Sequence, residues 1–134
     1  MKALLVASEV APFARSGGLA EMTGFLAGAL WQEGVEADVI LPLYQEVEDG
    51  NFPLSSTGKC VEVAVAGKKM RGELLSCNLP LSKGRAFFIK QDAYYKRPSL
   101  YSSADGDYAD NCERFSFFCR AALEAVGTPD TEGL

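Results

Sequence analysis

The distribution of apolar and polar positions predicts a strand, a helix and a second strand in the first third of the chain. Residues Ala3 to Ala7 form an unbroken apolar run, typical of a central parallel strand that is covered on both faces. From Leu19 the apolar positions recur at helical spacing, and Gly34 is placed to end that helix. Ala37 to Leu41 is apolar again and stops at Pro42. These segments predict a βαβ unit with a right-handed crossover and parallel strands.

The middle of the chain has a different pattern. The polar stretch from Leu43 to Gly58 predicts a loop. Cys60 to Ala66 and Met70 to Cys77 flank a Gly-Lys-Lys turn and predict a β-hairpin, and Arg85 to Ile89 predicts one more strand. A segment rich in tyrosine, lysine, arginine and aspartate follows, and we interpret it as a loop.

The amphipathic spacing also predicts which helix positions face the core. For the first helix, the predicted stripe is Leu19, Met22, Leu26, Ala29 and Leu30, with Phe25 beside it. A last helix starts with Asp110 or Asn111 as its cap and Glu113 in a capping box, and it stops at Gly127 and Pro129. Its predicted stripe is Cys112, Phe115, Cys119, Ala122, Leu123 and Val126. The fold class is therefore α/β: a Rossmann-like, mostly parallel sheet with flanking helices and a β-hairpin, in one domain over residues 1–134.

The net charge of the chain excludes two classes of binding partner. The 134 residues carry a net charge of −5, which repels phosphate backbones and anionic lipid, so neither nucleic acid nor a membrane surface is expected. The apolar start is cut short by Ser8 and Glu9, below the length of a signal peptide, and this predicts a cytoplasmic location.

The cysteines and the absence of histidine limit the chemistry. Cys60, Cys77, Cys112 and Cys119 form no C-x-x-C pair, and the sequence has no histidine. We therefore expect no metal site and no disulfide, and interpret the thiols as small core side chains. The commonest general base is missing as well.

The loop from Ser8 to Leu19 is the strongest candidate for chemistry. It leaves the carboxyl end of a predicted parallel strand and enters a helix N-terminus, a place where anions bind. Gly17 and Gly18 allow close approach of a ligand, and Arg15 supplies a positive charge. A phosphate site predicts a solvent-reachable Arg15 without a carboxylate partner; otherwise the glycines mark only a turn. The loop does not match G-x-G-x-x-G, which disfavours a nicotinamide or flavin cofactor.

The same loop carries a family resemblance. The run from Ala7 to Phe13, followed by a basic residue, a hydroxyl residue, Gly-Gly-Leu-Ala and an acid, resembles the opening of bacterial glycogen synthases and plant starch synthases. The likeness continues through Ala37 to Pro42, the hairpin, Tyr94-Tyr95 with Arg97-Pro98, and Asp110-Asn111 with Arg114-Phe115. It covers nearly the whole chain. Two residues depart from the family pattern: Arg15 stands where a lysine is usual, and Glu21 where an aspartate is usual.

The resemblance implies a glucosyltransferase that moves glucose from ADP-glucose to the non-reducing end of an α-1,4-glucan with retention, using two facing Rossmann-like domains. It implies that this chain is part of the amino-terminal, acceptor-side domain. The donor-phosphate contacts would be Arg15, Gly17 and Gly18, and candidate sugar contacts are Glu9, Tyr95 and Asn111. No catalytic residue, metal or cofactor is assigned to this chain, because the carboxyl-terminal donor domain is absent. We accordingly expect the chain alone to be inactive, with uncovered apolar surface that favours self-association.

Two other functions stay open at this point. A binding module could hold glucan or a nucleotide sugar without turnover, because Tyr94, Tyr95, Tyr101 and Tyr108 could stack on sugar rings. The same tyrosines could instead anchor their loop to the core. A receiver-like or flavodoxin-like regulatory domain fits the order of elements, but Glu9 alone does not supply the paired acids such a domain would show.

Overall fold

A computed structural model describes residues 1–80 and 82–127. Its main sheet has five strands in the spatial order β1-β2-β5-β4-β3. The strands are β1 (Lys2–Val6), β2 (Glu36–Pro42), β3 (Ser55–Val65), β4 (Lys68–Asn78) and β5 (Arg85–Lys90). The helices are α1 (Gly18–Gln32), α2 (Gln45–Asp49), α3 (Asp92–Tyr95) and α4 (Asn111–Gly127), and a small ladder joins β6 (Ser102–Ser103) to β7 (Gly106–Asp107).

The predicted βαβ unit is confirmed. β1 pairs with β2 in parallel, with Ala3 opposite Ala37, and β2 pairs in parallel with β5. α1 connects the first two strands, and Gly34, with a φ of 82°, follows its end as predicted. The sheet is Rossmann-like in this parallel half, and the hairpin adds an antiparallel half beside β5.

The hairpin is confirmed and is longer than predicted. β3 and β4 have 11 residues each, and the connecting residues Ala66 and Gly67 both have positive φ, as in the tight turns that match strand twist. The loop predicted from Leu43 to Gly58 is partly wrong, because it contains α2 and the first residues of β3. Val47 explains α2: its buried side chain anchors one short turn of helix in an otherwise polar segment.

The two faces of the sheet are covered by different segments. Phe88 of β5 lies edge-on against Phe13, in the loop after β1, with ring centroids 5.1 Å apart. The next residue, Ile89, lies on the other side, because a Cβ added at Gly72 would meet both Ile89 and Phe117 of α4. Successive side chains of a strand point to opposite faces, so the β1–α1 loop covers one face and α4 the other.

The core stripe predicted for α1 is wrong. Small residues face the protein: Ala20, Thr23 and Ala27 are buried. The larger apolar residues point outward, and Phe25 is 71% exposed. The exposed group also includes Leu19, Met22 and Leu26. Small side chains let the helix backbone approach closely, since a Cβ at Gly24 would lie only 2.9 Å from the Ala11 carbonyl oxygen.

The predictions for α4 are corrected in the same way. Its buried face consists of Arg114, Phe117, Phe118, Ala121, Ala122 and Ala125. Of the predicted stripe only Ala122 is fully buried, while Leu123 and Val126 are exposed. Three of the four free cysteines are exposed as well, so only Cys77 is a core side chain. Glu113 accepts a hydrogen bond from Tyr94 and pairs with Lys68. Pro129 lies outside the described residues.

β1 forms one edge of the sheet and none of its five residues is fully buried, so the prediction of a central strand covered on both faces is wrong. Within the described part of the chain, β1 pairs only with β2, and Val6 at its end is half exposed. None of the helices in residues 1–80 and 82–127 is long and apolar enough to cross a membrane. The open edge and the outward apolar residues of α1 agree with the expectation of uncovered surface.

Candidate functional site

The candidate site lies where the three parallel strands end. The segments that follow β1, β2 and β5 contribute Glu9, Tyr44 and Tyr101 to one neighbourhood. The Tyr44 hydroxyl donates to the Ser8 carbonyl oxygen at 2.8 Å, and the Tyr101 hydroxyl lies 2.8 Å from Ser8 Oγ. The loop after β1 is thus attached to both neighbouring strand ends. This is the edge at which ligands bind in open parallel sheets.

Glu9 is the central group of this neighbourhood. Its side chain is buried, at 4% exposure, and both carboxylate oxygens accept hydrogen bonds. Oε1 accepts from the Ser16 amide at 2.5 Å, and Oε2 accepts from Ser16 Oγ at 2.9 Å and from the Tyr101 hydroxyl at 2.6 Å. The carboxylate therefore fixes the Arg15–Gly18 turn from inside the protein.

The protonation of these groups follows from their contacts. Burial acts to raise the pKa of Glu9, but hydrogen bonds from Tyr101, Ser16 and the Gly17 amide outweigh it, so that its pKa lies below the usual value. Burial and the adjacent carboxylate of Glu9 both raise the pKa of Tyr101. At neutral pH the pair is an ionised carboxylate beside a protonated phenol.

These contacts bear on the sugar-binding role predicted for Glu9. A carboxylate offers about four lone-pair sites. The three hydrogen bonds described above and the interaction with the Gly17 amide occupy them. A sugar hydroxyl could bind Glu9 only by displacing one of these donors. The sugar contact remains a prediction. In the structure the Glu9 side chain forms hydrogen bonds within the protein, to Ser16 and Tyr101.

The environment of Arg15 differs from the expectation for a free cation. Its guanidinium Nη1 lies 3.0 Å from Glu21 Oε1, and its backbone amide donates to Glu46 Oε2 at 2.9 Å. The prediction that Arg15 lacks a carboxylate partner is therefore wrong. Both side chains of the ion pair are largely exposed, at 55% and 44%, and such pairs contribute at most about 1 kcal/mol. An incoming phosphate could replace Glu21 at little cost.

The two glycines are not required by the fold. A Cβ built on Gly17 or Gly18 would meet nothing within 4 Å, and neither residue has a positive φ. Gly17 is the N-cap of α1, and no side chain caps the helix there. Among the described residues the amides of Gly18 and Leu19 have no hydrogen-bond partner, and unpaired amides at a helix start are the arrangement that binds anions.

The other two candidate sugar contacts are engaged within the protein, Tyr95 fully buried and Asn111 partly buried. Tyr95 is fully buried, and its hydroxyl donates to the Arg114 carbonyl oxygen at 2.7 Å. Asn111 donates from Nδ2 to the Tyr101 carbonyl oxygen at 2.9 Å and accepts from Arg114 Nη1 at 2.8 Å. Both residues hold the segment between β5 and α4. For them, too, the sugar contact stays a prediction.

An open groove of about 590 Å³ starts at the Arg15–Glu21 ion pair. Gly24 and Gly28 of α1 form part of its lining, and Phe25 stands at its side. It extends along the helix to Gln32 and Pro80, and its surface is mainly apolar. The groove is thus continuous with the candidate anion site and with the exposed apolar residues of α1.

Comparison with known proteins shows the family to which this chain belongs. A family model, described as the starch synthase catalytic domain, matches residues 2–131. The chain belongs to the starch synthase catalytic domain family. A glycogen synthase of Geotalea daltonii is 42% identical over 130 residues, which is 97% of this chain and 26% of that protein. A glycogen synthase of Rhodopirellula baltica is 36% identical over 135 residues, covering 94% of this chain and 27% of that protein.

A solved structure agrees with this family. The catalytic domain of starch synthase IV from Arabidopsis thaliana, bound to ADP and acarbose, superimposes with a TM-score of 0.74 at 26% identity. The match covers 92% of this chain and 24% of that chain. The present chain spans about a quarter of the length of the curated glycogen synthases and of the starch synthase IV chain that it matches. It is a glycosyltransferase-family segment with an α/β fold.

Sequence analysis missed several residues of the site. Tyr101 reaches Glu9 from 92 positions away, and no local pattern signals such a contact. Arg114 was noted only as part of a family motif, although it is the largest fully buried side chain. The one available signal was Glu9 itself, an acid placed among apolar residues shortly after the apolar run of β1.

Proposed function

We propose that this chain is the amino-terminal, acceptor-side part of a glycogen or starch synthase that transfers glucose from ADP-glucose to the non-reducing end of an α-1,4-glucan, with retention of configuration. In this proposal the Arg15–Gly18 turn binds the donor's phosphates. Arg15 supplies charge and a bidentate donor fork, while the amides after Gly17 supply hydrogen bonds at the start of α1.

The observation that carries the proposal is the free space at both glycines. Paired glycines in a purely structural turn would be expected to relieve a steric clash or to adopt a positive φ. Neither applies to Gly17 or Gly18. Their lack of side chains leaves room for a ligand next to the helix N-terminus. The likeness to a starch synthase IV structure bound to ADP and acarbose supports a nucleotide diphosphate as that ligand.

The chain by itself should not catalyse transfer. It spans 26% of its Geotalea daltonii relative, and we assign it no general acid, base or nucleophile. The remaining partners in the proposal are therefore the carboxyl-terminal domain, ADP-glucose and the glucan. The purified 134-residue chain should transfer labelled glucose from ADP-glucose to a maltooligosaccharide no faster than the uncatalysed rate.

A chimera tests the function directly. Residues 2–131 would replace the matching segment of the Geotalea daltonii glycogen synthase. We expect the chimera to elongate a maltooligosaccharide from ADP-glucose, with new α-1,4 linkages visible by proton NMR. Arg15→Ala should lower kcat/KM for ADP-glucose by about ten- to a hundredfold, the effect of one charge-assisted hydrogen bond. Arg15→Lys should retain or improve transfer, and Arg120→Ala is the control for loss of an exposed arginine.

Gly18→Val tests whether the donor needs the open space beside Gly18. The open space at Gly18 predicts that valine leaves the folded chain intact by circular dichroism but blocks donor approach in the chimera. If Arg15→Ala and Gly18→Val both leave KM for ADP-glucose and kcat unchanged, the loop is only a turn and the proposed role is wrong.

A further inference from the structure

Glu9, Tyr101 and Ser8 form a hydrogen-bonded chain that ends at the Arg15–Gly18 turn. The direction of each hydrogen bond follows from proton counting. Ionised Glu9 has no proton to give, so the Tyr101 hydroxyl donates its only proton to Glu9 Oε2 at 2.6 Å. Ser8 Oγ must then be the donor in its 2.8 Å contact with the Tyr101 oxygen. Every proton in the chain is directed toward Glu9.

Tyr101 is itself held from α4. Its carbonyl oxygen accepts from Asn111 Nδ2 at 2.9 Å, and the preceding carbonyl, of Leu100, accepts from Arg114 Nη1 at 3.0 Å. Its ring lies 5.7 Å from that of Phe115. These contacts with α4 fix the position of the Tyr101 phenol independently of its hydrogen bond to Glu9.

The turn depends on Glu9 because its other connections are exposed. The Arg15 guanidinium pairs with exposed Glu21, the Arg15 amide donates to Glu46 in a second exposed contact, and Gly17 has no side chain with which to cap α1. Glu9, in contrast, takes the Ser16 amide and hydroxyl from a buried position. A carboxylate held by Tyr101 sets the orientation of the amides that follow.

We propose that Glu9 and Tyr101 are positioning residues, which hold the Arg15–Gly18 turn in the conformation that presents the first amides of α1 to the donor's phosphates. This inference rests on the proposed function. It assigns to Glu9 a role different from sugar contact, and it includes Tyr101, to which we had assigned no role in donor binding. Neither side chain touches the donor; both act through Ser16 and Gly17.

The test compares two phenol deletions of the same kind. Tyr101→Phe removes the hydrogen bond to Glu9 and keeps the ring that packs on Phe115. Tyr94→Phe is the matched control, because its hydroxyl donates at 2.6 Å to a different carboxylate, Glu113. Glu9→Gln is the second variant, since an amide of the same size cannot accept all of the donors around Glu9.

The first measurement is hydrogen exchange by NMR at the Ser16 and Gly17 amides of the 134-residue chain. We expect Tyr101→Phe and Glu9→Gln to speed exchange at these amides by about tenfold, the size of one lost hydrogen bond to a charged group. The second is the kinetics of the Geotalea chimera. Tyr101→Phe should lower kcat/KM for ADP-glucose by a similar factor without changing KM for the maltooligosaccharide. Tyr94→Phe should change neither measurement.

The outcomes separate this inference from the proposed function. Unchanged protection of Ser16 and Gly17 in both variants would overturn it. So would faster exchange with an unchanged kcat/KM for ADP-glucose, in a chimera that Gly18→Val inactivates, because the donor site would then exist without needing this support. If Gly18→Val is itself without effect, the donor site is wrong and this inference is overturned together with it.

Discussion

Arg114 offers the clearest test of what stabilises the segment between β5 and α4. It is a fully buried arginine, and within the described part of the chain none of its hydrogen-bond partners is a carboxylate. Nε donates to the Tyr94 carbonyl oxygen at 2.7 Å, and Nη1 donates to Leu100 O at 3.0 Å and to Asn111 Oδ1 at 2.8 Å. Nη2 has no hydrogen-bond partner among the described residues. We predict that Arg114→Met strongly destabilises the chain although methionine fits an apolar site.

The magnitude follows from two opposing effects. Three acceptors, two of them buried and one partly buried, lose their donor, at about 1 to 3 kcal/mol each. Removing the guanidinium also abolishes the cost of burying a charge, which amounts to several kcal/mol. The contacts with the rings of Tyr95, Tyr108 and Phe115 are lost in part. We expect a net loss of about 3 kcal/mol in the free energy of unfolding.

Urea unfolding, followed by circular dichroism, measures this loss. With a dependence on urea of about 2 kcal/mol per molar, the midpoint should fall by about 1.5 M. Arg120→Met is the matched control on the same helix, because Arg120 is exposed and donates to the Ala64 carbonyl oxygen. Its midpoint should move by less than about 0.5 M. An Arg114→Met midpoint equal to that of the control would refute the anchoring role.

Two further predictions concern pH and the apolar surface. Hydrogen bonds from Arg97 hold the pKa of Asp110 below its usual value, so its stabilising contribution is complete above the unfolded pKa of about 4 and is lost as pH falls through the lower folded pKa. Asp110→Asn should therefore reduce stability at pH 6 but not near pH 2 in thermal unfolding; an equal loss at both would contradict this. Phe25→Ser should weaken self-association measured by sedimentation equilibrium, whereas Gln32→Ser on the same helix should not. Equal association of both variants would exclude the exposed face of α1 as the contact.

The fold was predictable where the signal was local. The apolar run before Ala7 and the two arms around Gly67 indicated a strand and a hairpin, and both are present. The faces of the helices were not predictable. Hydrophobic spacing selected the largest side chains of α1, such as Met22 and Leu26. The residues that are buried are Ala20 and Ala27, because only small side chains let the helix backbone lie close to the rest of the protein. Which face is covered depends on neighbours that a single helix sequence does not reveal.

The candidate site was predictable in place but not in its connections. Gly17 and Gly18 at a helix start and Arg15 beside them marked the loop from sequence alone. The partners of these residues come from other elements: Glu46 from α2 and Tyr101 from the segment before α4. Such contacts arise from the meeting of strand ends, so they follow from the tertiary structure and have no counterpart in residue spacing.

The two edges of the sheet differ in a way that limits how copies of the chain could assemble. β3 has a register shift between Ser56 and Lys59, with Gly58 at positive φ, and irregularities of this kind discourage pairing of an edge with another strand. β1 has a regular register from Lys2 to Val6 and no such irregularity. With only one edge suited to pairing, contact through β1 would join two identical edges about a two-fold axis. That geometry closes at two chains and leaves only the irregular β3 edges free, which are poorly suited to the growth of a filament.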